Sequence, residues 1–161
     1  MSAILAALDP KQTSARNPAV TRRTDQLGVY SLFSTLEVQQ ITESIASDFS
    51  GSTTESEHSI LVELRQGPKK VLIDWPKHDL SEMWMTFFEA DEETSIYQEW
   101  FECMEKEDKA EFVEYTRTVA ARFLENPSRV RQRGPFFLRR SILEIETDNG
   151  WRDIFDPELD E

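Results

Sequence analysis

The sequence predicts an α+β fold: an antiparallel sheet of two hairpins, at about 58–75 and 136–155, with four or so helices packed mainly on one face. Three observations carry this expectation. Two pairs of β-rich runs each flank a short turn, apolar residues recur at helical spacing in the stretches between them, and the βαβ alternation that builds a parallel sheet is missing. No repeat of fixed period argues for a solenoid or propeller.

The β-prone segment Gly28–Phe33 predicts a short strand, after which Ser34 and Glu37 have the S-x-x-E spacing of a capping box. The first helix is expected at about 35–49, because Val38, Ile41, Ile45 and Phe49 recur at three or four and the Ser/Gly/Thr-rich stretch 50–57 closes it. The first hairpin pairs His58–Arg65 with Lys70–Trp75 around Gln66, Gly67, Pro68 and Lys69, and Pro76 ends it. Asp79 and Glu82 repeat the capping spacing, and Leu80, Met83, Trp84, Phe87 and Phe88 form a stripe that predicts a helix at about 80–90. Asp91, Glu92 and Glu93 interrupt the stripe; it resumes at Ile96, Trp100 and Met104, giving a helix at about 94–104. Asp108 and Glu111 open a fourth helix at about 109–125, with Phe112, Thr116, Val119, Ala120 and Phe123 on one face and Asn126-Pro127 ending it. An Arg-rich loop leads to the second hairpin, Phe136–Glu146 and Trp151–Phe155, turned by Asp148, Asn149 and Gly150.

Of the 161 residues, 39% are hydrophobic, with four Trp and ten Phe, which is enough apolar material to build a core without disulfides or metal. The expected organisation is an extended N-terminal arm (1–27), one α+β domain (28–155) and an acidic tail (156–161). The arm offers Ile4 and Leu5 near its start, then Pro10, Pro18 and the pair Arg22 and Arg23, with no periodic apolar pattern. The apolar run 3–8 is short and follows no positive charge, so neither a signal peptide nor a membrane span is expected, and a cytoplasmic location is. One cysteine and two histidines are too few for the common zinc arrangements; no metal or cofactor is expected.

Candidates for catalysis are few. His78 lies between an expected strand and an expected helix, but its neighbours Asp79 and Ser81 suit the head of that helix, so a structural role outweighs a catalytic one. Cys103 stands among Glu99, Glu102 and Glu105, and carboxylates raise a thiol pKa rather than activating it. The five glycines make no phosphate-cradling motif, and Glu89 with 91–93 lacks the alternation of a calcium loop.

Charge is the strongest signal. The net charge is −13, and residues 79–114 hold thirteen acidic side chains against two basic ones, whereas 126–140 hold five Arg and no acid. An acidic face of Glu89, Asp91, Glu92, Glu93, Glu99 and Glu102 is therefore expected to bind a partner, while Ile4, Leu5, Arg22 and Arg23 of the arm and Arg129, Arg131 and Arg133 of the basic loop supply a second contact. Such a field attracts basic proteins and repels DNA, RNA and anionic membranes. Phe136 and Phe137 beside the Arg run suit base stacking, but two adjacent strand residues face opposite ways, so direct nucleic-acid binding is disfavoured. Three functions follow in order. The first is a non-catalytic protein-binding or assembly subunit that docks through the arm and an acidic helical surface. The second is an inhibitor, immunity or nucleic-acid-mimic protein that blocks a basic site, and the third is an enzyme with an unrecognised carboxylate or His site.

Overall fold

The computed structural model describes residues 32–89, 94–135, 139–156 and 159. The arm 1–27, the expected strand up to residue 31, the acidic run 91–93, Phe136 and Phe137 and most of the tail lie outside the described residues.

Helix α1 (Thr35–Asp48) begins as its sequence dictates: Ser34 Oγ accepts from the Glu37 N–H at 3.2 Å, and a Glu37 carboxylate oxygen accepts from the Ser34 N–H at 2.7 Å. It ends in a Schellman motif, where the Gly51 N–H reaches Ala46 O at 2.6 Å and the Ser50 N–H reaches Ser47 O at 3.4 Å. Ser50 takes the left-handed conformation this motif requires, with φ 53°. Gly51 is needed for a different reason: a Cβ there would stand 2.5 Å from Glu63 O.

Five antiparallel strands follow in one meander: β1 (Ser52–Glu55), β2 (Ser59–Gln66), β3 (Lys69–Pro76), β4 (Glu82–Glu89) and β5 (Ser95–Glu102). β2 and β3 turn through Gly67-Pro68, where Gly67 at φ 58° suits the first central position of a type II′ turn. A 3₁₀ turn (Lys106–Asp108) leads into α2 (Lys109–Glu125). The chain then makes a second antiparallel sheet of three strands, β6 (Ser128–Arg133), β7 (Arg140–Thr147) and β8 (Gly150–Asp153).

The expected class is corrected here: the described residues form two helices and two separate antiparallel sheets, not four helices on one sheet of two hairpins. Where helices were expected at 80–90 and 94–104, the chain forms the strands Glu82–Glu89 and Ser95–Glu102. In 82–89 the apolar positions fit helical spacing, yet Met83, Met85 and Phe87 equally form a period-two row, and all three are fully buried. Context decides between the two. β3 is buried along its core-facing row, so both of its edges need backbone partners, and β4 supplies one. β5 alternates as well: Tyr97, Glu99 and Phe101 face one way, Gln98, Trp100 and Glu102 the other. The D-x-x-E of Asp79 and Glu82 belongs to a turn between strands, where an Asp79 carboxylate oxygen accepts from the Ser81 N–H at 2.9 Å. The presumed basic loop contains β6, whose Arg residues alternate with Val130 and Gln132.

One face of the large sheet carries the core. Ile60, Val62, Leu64, Val71, Ile73, Trp75, Met83, Met85 and Phe87 meet Val38 and Ile45 of α1, Val119, Ala120 and Phe123 of α2, Leu143 and Ile145 of the small sheet, and Ile154 just after it, in one buried cluster. Phe87 is its centre, 5.0 Å from Phe123 and 6.3 Å from Phe155 between ring centroids. Lys69 lies on the same face and closes the C-terminal end of α2: its Nζ donates to Phe123 O at 2.8 Å and also to Asn126 O, over the Phe123 ring. Burial holds its pKa below the usual lysine range, with Glu89 opposing. No helix among the described residues is long and apolar enough to cross a membrane.

Candidate functional site

Both helices pack on the core-facing side of the large sheet, so among the described residues its other face is built from strand side chains. One row across the strands reads Leu61, Asp74, Trp84 and Trp100, and the next reads Glu63, Leu72, Thr86 and Gln98, each residue directly opposite its neighbour. None of Leu61, Leu72, Trp84, Phe88 and Trp100 joins the core cluster. Trp84 and Trp100 are 40% and 39% exposed, although full burial of a large apolar side chain is worth roughly 1.5–3 kcal/mol. Trp84 and Trp100 thus form a partly exposed cross-strand pair.

The surroundings of the pair are acidic. Glu82 lies directly opposite Glu102, one step along the strands from the Trp pair, and like charges in that register destabilise a sheet. The Glu102 carboxyl is held above the usual carboxylate range, first by partial burial and then by the charges of Glu82 and Asp79. Among the described residues no cation pairs with Glu82 or Glu102. Asp74, next to Trp84 in the row, has one carboxylate oxygen buried without a hydrogen-bond partner. At the far end Lys70 sits 4.2 Å over the Phe88 ring.

The expected acidic face is described only in part. Asp91, Glu92 and Glu93 lie outside the described residues. Glu89 ends β4 near Lys69, at 3.9 Å, and accepts from Ser128 Oγ at 3.2 Å. Glu99 points to the core side, where it accepts from Tyr97 Oη at 2.7 Å; burial first, then this carboxylate, raises the Tyr97 pKa. Of the described members of that set, Glu102 alone lies on the face of Trp84 and Trp100. Its true companions, Glu82, Trp84 and Trp100, went unseen because a helical reading of 80–104 mixes the two faces; a period-two reading separates them.

Arg129, Arg131 and Arg133, expected as a second partner contact, converge on Glu144 of β7. The Glu144 side chain is 1% exposed, and Arg129 binds one of its oxygens through Nε and Nη2, both at 2.8 Å, while stacking 4.2 Å over Trp151. Ile4, Leu5, Arg22 and Arg23 lie outside the described residues.

Catalytic chemistry finds no constellation among the described residues. His78 is exposed in the turn after β3, and Cys103 is buried, donates to Glu105 O at 3.3 Å and has its thiol pKa pushed up by that burial. No group of three His, Cys, Asp or Glu side chains among the described residues could hold a metal ion. A groove between α1 and α2 is floored by Phe33, Ile41 and Val113, but its rim charges satisfy one another: Lys109 with Glu37 at 2.9 Å, and Arg117 with Asp48 at 3.1 Å. Comparison with protein-family models, with curated proteins and with solved structures finds no match to this chain.

Proposed function

We propose that this protein is a non-catalytic protein-binding or assembly subunit that holds a partner against the exposed face of its five-stranded sheet. The observation that carries the reading is the solvent-exposed cross-strand pair Trp84–Trp100 on a face neither helix covers. Trp is over-represented among the residues that dominate binding energy, and leaving two in water has a cost that a partner removes. The unpaired Glu82 and Glu102 at one end, with Asp74 in the row, specify the partner's chemistry: an apolar contact flanked by Lys or Arg.

An inhibitor or immunity role uses the same face differently, with the carboxylates rather than the Trp pair supplying most of the affinity. Salt separates the two. Binding anchored on tryptophan persists at high ionic strength, whereas binding carried by carboxylates falls steeply as salt is added.

The test is a comparison of captured and then reconstituted partners for the wild type and for a Trp84→Ser/Trp100→Ser double variant that keeps its circular dichroism spectrum. A partner bound at least tenfold more weakly by the double variant supports the proposal. Equal affinity for the two proteins removes it.

A further inference from the structure

The small sheet offers a second surface of opposite sign. β6 is its edge strand, and among the described residues the outer side of β6 makes no backbone hydrogen bond. Arg129, Arg131 and Arg133 occupy alternate positions, so they share one face of the strand at a spacing of about 6.6 Å. Their side chains are 42%, 55% and 54% exposed even though all three lie within 4 Å of Glu144.

One buried carboxylate needs one arginine. Three surround it, and Arg140 stands directly opposite Arg133, a like-charge register that costs stability. Charged edges do protect sheets from aggregation, but protection does not require the charges to be oriented. Here they are: Glu144 accepts hydrogen bonds from Arg129 and Arg133 and lies 3.7 Å from the Arg131 guanidinium, and Trp151 fixes the plane of Arg129. Val130, on the opposite side of the strand, is an exposed apolar contact.

We propose that the outer edge of β6 takes up an extended acidic segment of a partner protein as an added strand, with acidic side chains at alternate positions meeting Arg129, Arg131 and Arg133. The repeat along the added strand equals the repeat along β6, so backbone pairing brings three carboxylates into register with three guanidinium groups at once. The chain's own N-terminal segment does not suit this place, since residues 1–35 hold four basic and two acidic side chains. A nucleic acid suits it less than a peptide. The net charge of −13 opposes both at long range, but only a peptide recovers that cost by backbone hydrogen bonds to the unpaired edge, which a phosphate backbone cannot make.

The experiment titrates full-length protein, at 0.15 M salt, with a fluorescent twelve-residue peptide of alternating Glu and Val. A charge-matched peptide with Pro in place of alternate Val, and a twelve-nucleotide single strand, are titrated alongside. The expected result is saturable binding of the Glu/Val peptide, at least tenfold weaker binding of the Pro peptide and of the oligonucleotide, and at least tenfold loss in Arg131→Glu and in Arg133→Glu, each with an unchanged thermal melt. Equal binding of the Pro peptide overturns strand addition and leaves a general anion patch. Tighter binding of the oligonucleotide assigns the patch to nucleic acid instead, and no binding of any probe overturns the proposal.

Discussion

Trp75 and Trp84 stand on adjacent strands of one sheet and face opposite ways. Trp75 is fully buried beneath the helices, while Trp84 is 40% exposed beside Trp100. The two faces treat charge just as differently. Under the helices Lys69 meets two backbone carbonyls and an aromatic ring; on the other face Glu82 and Glu102 oppose each other, and among the described residues no cation pairs with either. The covered face is part of the buried core, although the Trp75 Nε1 there has no hydrogen-bond partner, and the other face is the one proposed to hold a partner.

The largest expected effect tests that asymmetry directly. Trp75→Ala should cost about 3–5 kcal/mol in chemical denaturation, and Trp84→Ala less than about 1 kcal/mol. Similar losses for the two would mean that the exposed face is structural, and the proposed docking surface would go with it. Next in size, Lys69→Met keeps the side-chain stem but strips the donors from the end of α2, and should lower stability by about 2 kcal/mol. Glu82→Lys converts a repulsive cross-strand pair into an attractive one, so it should raise the melting temperature by the equivalent of about 0.5 kcal/mol while weakening partner binding. A gain in stability joined to a loss of binding is the signature of a residue kept for function.

The smallest effect lies in the pH dependence. Glu37 is held at about 2, against 4.5, first by its hydrogen bond from Lys109 and then by the capping hydrogen bonds at Ser34. As pH falls the unfolded chain binds this proton first, so the contribution is complete above about 4.5 and disappears as pH drops through about 2. Glu37 is well exposed, and its term should stay near 0.5 kcal/mol. Glu102 has the opposite sign. Its raised pKa makes the folded state take up the proton first, which relieves the repulsion as pH falls towards the carboxylate range. Acid titrations of Glu37→Gln and Glu102→Gln should therefore bend in opposite directions from the wild type.

What could be read from the sequence depended on how local the signal was. The helix opened by Ser34 and Glu37, the Gly67-Pro68 turn and the Asp148–Gly150 turn are specified by a few adjacent residues, and each forms where the sequence predicts it. Residues 82–102 were misread because Met83, Trp84, Phe87, Phe88, Trp100 and Phe101 are apolar on both sides of a strand. An apolar face that is not buried within the chain imitates the width of a helical stripe. The misreading and the candidate site thus have one cause. Glu144 was missed for another reason: nothing nearby in sequence marks it, and its partners come from the neighbouring strand fifteen, thirteen and eleven residues earlier.

The meander has a kinetic consequence. Among the described residues every hydrogen-bonded strand pair joins immediate neighbours along the chain, so none of these strands must wait for a distant segment before it can zip. Loop-closure entropy is small at each step, which favours rapid folding for a protein so rich in strands. The slow event should be the docking of α1 and α2, since they bring the ends of the meander onto one core and must exclude water from it in a single cooperative step.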